Sequence, residues 1–161
     1  MAGRGRLAAL LLVFAGFITP ALAAGDFKPE AIIALERSAL DRWCKGDPQG
    51  YLETYGPDVT YFAPSEENRI DGLPAMKNLL GPITGKIRID RYEMINPRVQ
   101  RRGDVAVLSY RIVNHLTRPN GQSVTARWNS TAVYERAGGR WRIFHSHFSY
   151  TKPELRQQSP E

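Results

Sequence analysis

The sequence predicts an α+β domain in which N-terminal helices pack on one face of a curved antiparallel sheet. Up to about residue 81, apolar residues recur at three- and four-residue intervals. From about residue 86 the pattern alternates with period two and is rich in β-branched and aromatic residues. Turn chemistry at Asn96-Pro97, Gly103-Asp104, Pro119-Asn120-Gly121 and Gly138-Gly139 divides that second half into long extended segments. A chain of 161 residues supports one such domain with a modest core.

The first helix is expected over Pro29 to Lys45. Proline suits its first turn, Glu30 suits the positive end of the dipole, and Gly46 suits the position just past the end. Ile32, Leu35, Ala39, Leu40 and Trp43 give it one face to bury. A short second helix is expected within 47–56 and a first strand over 58–64, ended by Pro64. A third helix over 73–81 is stopped by Gly81-Pro82. Strands follow at 86–95, 105–118, 123–136 and 140–151, and Asn96 to Arg102 either continues the first of them or adds a short one. Helices on one side and a curved sheet on the other enclose a cone, a natural place for a small molecule.

Residues 1–23 read as a secretory signal peptide. Arg4 and Arg6 precede an apolar run from Leu7 to Ile18, and Pro20 leads into Ala21-Leu22-Ala23. The run is shorter than the roughly 20 residues that span a bilayer, so no stable membrane anchor is expected after cleavage. The expected division is signal peptide 1–23, folded domain 24–152 and polar tail 153–161, with a secreted or periplasmic location. The mature domain is mildly basic, its cations are scattered, and no nucleic-acid-binding signature is present, which argues against nucleic acid as a partner. Cys44, the sole cysteine, falls in the helical pattern and reads as a buried thiol.

Strict alternation places Leu108, Tyr110, Ile112 and Asn114 on one face of their strand, and Val124, Ala126, Trp128, Ser130 and Ala132 on one face of the next. From these the expected ligand-binding cavity is built of Tyr61, Tyr110, Ile112, Asn114, Trp128, Ser130 and His145. On the last strand, alternation groups Trp141, Ile143, His145, His147 and Ser149 on one face. His145 and His147 are the candidate acid or base groups. The same pair could grip a metal, but a third ligand is wanting: Lys152 stands where a cupin-like pattern has glutamate. Neither a metal nor another cofactor is expected.

The segments RWCKGD, DVTYFAP, RIDG, INPRVQRRGDVAVLSY and NSTAVYERAGGRWRIFHSHFSYTKP resemble the nuclear transport factor 2-like superfamily. Within it they are most similar to the association domain of calcium/calmodulin-dependent protein kinase II and its bacterial relatives. The resemblance implies a cone-shaped, cystatin-like fold and a homodimer or larger ring built on sheet faces. The superfamily also contains SnoaL-like and ketosteroid-isomerase enzymes. In the latter, the general base precedes the proline and an oxyanion-stabilising tyrosine lies on the first helix. Here those positions fall at Ala63 and near Ala39, and a methyl group can do neither job. The association domain's cavity arginines would fall at Ile112 and Val124. Arg111 and Arg127 lie one residue off that face, and a bulge would be needed to turn them inward.

The expectation is therefore an exported, self-associating domain holding a small organic molecule in its cone. One alternative is an enzyme of acid/base chemistry on a carbonyl or polyketide-like substrate. The other is a purely structural assembly domain with a filled cavity.

Overall fold

The structure, a computed structural model, describes residues 27–151. The signal peptide assigned to 1–23 and the polar tail from 153 onward lie outside the described residues.

Helix α1 runs Pro29–Cys44 and buries Ile32, Glu36, Ala39 and Leu40 as its inward stripe. Full burial of a side chain such as Ile32 contributes about 2 kcal/mol. Gly46, at φ 81°, ends the helix, its N–H donating to the Trp43 carbonyl at 2.9 Å. A Cβ at Gly46 would lie 2.5 Å from Arg88 Nη1 and 2.8 Å from the Ile87 carbonyl oxygen. That close approach lets the segment ahead of the third strand satisfy the last helix carbonyls: Ile89 N–H donates to Cys44 at 3.1 Å and Arg88 to Lys45 at 2.5 Å. Helix α2, Gln49–Thr54, crosses α1 closely at Gly50, where a Cβ would stand 2.9 Å from Arg42 Cβ.

Strand β1 is Tyr55–Phe62 and starts earlier than its sequence suggests, taking Tyr55 and Gly56 from the expected second helix. A two-residue β2 (Ile70–Asp71), helix α3 (Leu73–Leu80) and a 3-10 turn (Gly81–Ile83) follow. Strands β3 (Arg91–Arg102), β4 (Val105–Thr117), β5 (Ser123–Ala137) and β6 (Arg140–Tyr150) form an antiparallel meander. The sheet order is β2-β1-β6-β5-β4-β3. The α+β class is the expected one, with one pairing of another kind: β1 lies parallel to β6, Thr60 beside His145 and Phe62 beside His147. Parallel neighbours need a long connection, and here the chain passes through α3 and strands β3 to β5 before β6 returns beside β1.

Two bulges matter. In β3, Asn96 takes φ 50° and the register to β4 slips between Ile95 and Arg98, so the Asn-Pro pair bends a single strand instead of ending it. In β6, Tyr134 of β5 pairs with Ile143 but Val133 pairs with His145, leaving Phe144 as the extra residue. The strand therefore changes faces midway. Ile143 points into the core ahead of the bulge, and Ser146, also buried, does so after it. The core lies between α1, α2, α3 and the concave face, and includes Leu108, Tyr110, Ile112, Ala132 and Tyr134 from the central strands.

Candidate functional site

The concave face and the helices enclose a cavity of about 350 Å³, near the lower end of the range for small-molecule sites. Leu40 and Trp43 of α1, Tyr51 of α2, Leu79 and Leu80 of α3 and Ile83 of the following turn form its helical side. Tyr55 and Tyr61 of β1, Ile112 and Asn114 of β4, Trp128 of β5 and Phe148 of β6 form the sheet side, with Ala63 to Glu66 also on the lining. The rings brace one another: Trp128 stacks on Tyr150 with centroids 4.3 Å apart, and Tyr61 meets Phe148 edge-on at 6.3 Å.

Among the residues expected in the cavity, Tyr61, Ile112, Asn114 and Trp128 stand on its lining. Tyr110 and Ser130 do not; they are buried side by side across β4 and β5, behind the wall. His145 does not either. The bulge at Phe144 turns it to the convex face, where its Nδ1 lies 2.8 Å from Thr60 Oγ1 and its ring contacts Phe62. Desolvation, then the neighbouring His147 and Arg69, holds the His145 imidazole below the usual histidine range. His147 is exposed beside the same Phe62. Among the described residues no group of three or more His, Cys, Asp or Glu side chains is placed to hold a metal. Arg111 and Arg127 are exposed on the convex face, paired in register with Asn129 and Val113, so neither enters the cone. His115, on the same strand, pairs with Glu93 at 2.9 Å.

A buried cluster beneath the cavity was not anticipated. Glu36, 1% exposed, accepts hydrogen bonds from Tyr51 (2.9 Å) and Tyr110 (2.7 Å) on Oε1 and from Tyr134 (2.5 Å) on Oε2. Burial, followed by the adjacent Glu36 carboxylate, pushes all three phenols well above their ordinary range, so each keeps its proton and donates. The signal was legible: Glu36 interrupts the apolar stripe of α1 between Ile32 and Leu40. An acid on that stripe asks for buried donors, and tyrosines at inward positions of α2, β4 and β5 supply them.

Ala63 lines the cavity and Ala39 is buried in the core, so the two positions matched to isomerase machinery carry methyl groups. The cavity holds no histidine, and the buried carboxyl group nearby is engaged by three phenols.

A helix-roofed curved sheet with this strand order is the nuclear transport factor 2-like cone. The profile of the calcium/calmodulin-dependent protein kinase II association domain matches residues 28–152, and the chain belongs to that family. Among solved structures, a protein of Parabacteroides distasonis with the provisional name ketosteroid isomerase is 33% identical over 83% of this chain and 95% of its own, with a TM-score of 0.70. The hub homology domain of the Chlamydomonas reinhardtii kinase is 26% identical over 77% of this chain and 98% of its own, TM-score 0.65. The association domain of the C. elegans kinase, 24% identical over 74% of this chain and 93% of its own, shares the fold at TM-score 0.66. No curated protein gives a significant sequence match.

Proposed function

We propose that this protein is an exported, self-associating domain that binds a small, largely apolar organic molecule in its cone. One observation carries the binding role. Among the described residues, the helices and the sheet keep open between them a cavity of about 350 Å³ walled by Trp43, Tyr51, Tyr55, Tyr61, Trp128 and Phe148. Protein interiors normally leave few voids larger than a water, and an aromatic cavity of this size suits a small, largely apolar molecule. Self-association is supported by family membership and by the convex sheet face, where Phe62 is 41% exposed. Export rests on the signal-peptide pattern of residues 1–23.

Native mass spectrometry of the protein purified from its producing cells tests all three. The expected species is a dimer or larger ring of chains shortened by about 23 residues, carrying a small-molecule adduct that is lost on denaturation. Full-length monomers without an adduct would overturn the proposal.

A further inference from the structure

On the reading that copies of this chain meet through the convex sheet face, the charges on that face become decisive. Across the meander, Arg98 of β3 stands opposite Ser109, Arg111 of β4 opposite Asn129, and Arg127 of β5 opposite Val113. The three arginines therefore step diagonally over three neighbouring strands, each roughly 7 Å from the next along the sheet. Arg111 occupies the midpoint of β4, which runs Val105–Thr117. All three are exposed, and among the described residues none of their guanidinium groups has a carboxylate partner. The acids on the same face of β3 to β6 are already matched. Glu93 accepts from Arg91 at 2.5 Å and lies 2.9 Å from His115 Nε2, and Glu135 has Arg142 as its cross-strand neighbour.

A two-fold contact sets one patch against its own copy, so a stripe of arginines meets a second stripe. Like charges brought together across a contact oppose it, and no carboxylate of β3 to β6 on this face is free to offset them. Long, exposed arginine side chains can converge on a small anion from both sides. Their planar forks match the oxygens of a phosphate-type group two at a time, which a halide ion cannot reproduce. Ser109 and Asn129, opposite two of the arginines, add uncharged donors.

We propose that the contact between two copies contains a site for a multivalent oxyanion of the phosphate class. Arg98, Arg111 and Arg127 of one protomer and of its partner hold it, so the site is complete only in the dimer. Self-association is then anion-dependent: the stripes repel in chloride and are bridged once the oxyanion is bound. A lipid headgroup carries the same chemistry, but enclosure between two sheet faces admits the free ion.

Sedimentation equilibrium of the purified protein at neutral pH tests this, with sodium chloride alone or with dilute inorganic pyrophosphate at equal ionic strength. General screening is the same in both buffers, and dilute pyrophosphate does not act by salting-out. Pyrophosphate is expected to lower the dimer dissociation constant at least about tenfold, the size of one charge-assisted hydrogen bond. Arg111→Gln, checked for an unchanged circular dichroism spectrum, should dimerise more tightly than the parent in chloride and lose the response to pyrophosphate. Arg136→Gln, which removes an exposed arginine from the other face of β5, should respond as the parent does. Equal dimerisation of the parent in the two buffers, or an equal response in Arg111→Gln, would overturn the anion site and leave self-association intact. Co-sedimentation of monomers with phosphatidylglycerol vesicles, without any effect of pyrophosphate on dimerisation, would overturn it in favour of a lipid surface. Monomers in both buffers would overturn the self-association on which the site depends.

Discussion

Glu36 Oε2 and the Tyr134 hydroxyl stand 2.5 Å apart and tie α1 to β5 through the floor of the cone. With Tyr51 and Tyr110 on the other oxygen, one carboxyl group joins two helices to two central strands. Glu36→Ala would leave three buried phenols without their acceptor and should lower the free energy of unfolding by about 3 kcal/mol or more. Tyr51→Phe, which removes one donor, should cost about 1–2 kcal/mol. Urea denaturation measures both, and an alanine variant as stable as the parent would deny the cluster its role in holding the fold.

The bend in β3 depends on Asn96 at φ 50°, a conformation that β-branched residues resist. Asn96→Val should destabilise by about 1–2 kcal/mol, while Asn96→Gly should be neutral within about 0.5 kcal/mol. Thermal unfolding of the two variants side by side checks the contrast.

Gly46 combines φ 81° with Arg88 and the Ile87 carbonyl in the space a side chain would occupy. Gly46→Ala should cost about 2 kcal/mol or more and loosen the segment that caps α1. Hydrogen exchange at the Ile89 amide, which donates to Cys44, should quicken in step.

His145 gives a pH dependence of defined sign. Its folded-state pKa is lowered by desolvation, so the unfolded chain binds the proton more readily. Stability is complete above the ordinary histidine value of about 6.5 and falls as the pH drops through that value toward the folded one. His145→Asn should flatten this part of the melting-temperature curve, and the His145 ring proton should titrate below pH 6.5 by NMR. A midpoint above that value would contradict the placement beside Thr60 and His147.

How far the sequence could be read depended on periodicity. The switch from helical to alternating spacing made the helices and the meander visible, and alternation alone put Asn114 and Trp128 on the same face as Ile112. It failed at β6, where one inserted residue, Phe144, exchanges the faces after Ile143. Nothing in HSH distinguishes a straight strand from a bulged one, so alternation places His145 inside where the structure has it outside. The parallel pairing of β1 with β6 is a long-range choice that no local pattern encodes. Leu40 and Trp43, from the helical part of the lining, read as core-facing and not as cavity wall, because a wall and a core share one composition.

The placement of the indoles has a practical result. Trp43 and Trp128 stand on the cavity lining, while the third, Trp141, packs against Phe27 and is not part of the lining. The protein thus contains its own optical gauge of occupancy. Emission from the first two should shift or dim as the cone fills, against a steady background from the third, with no dye attached.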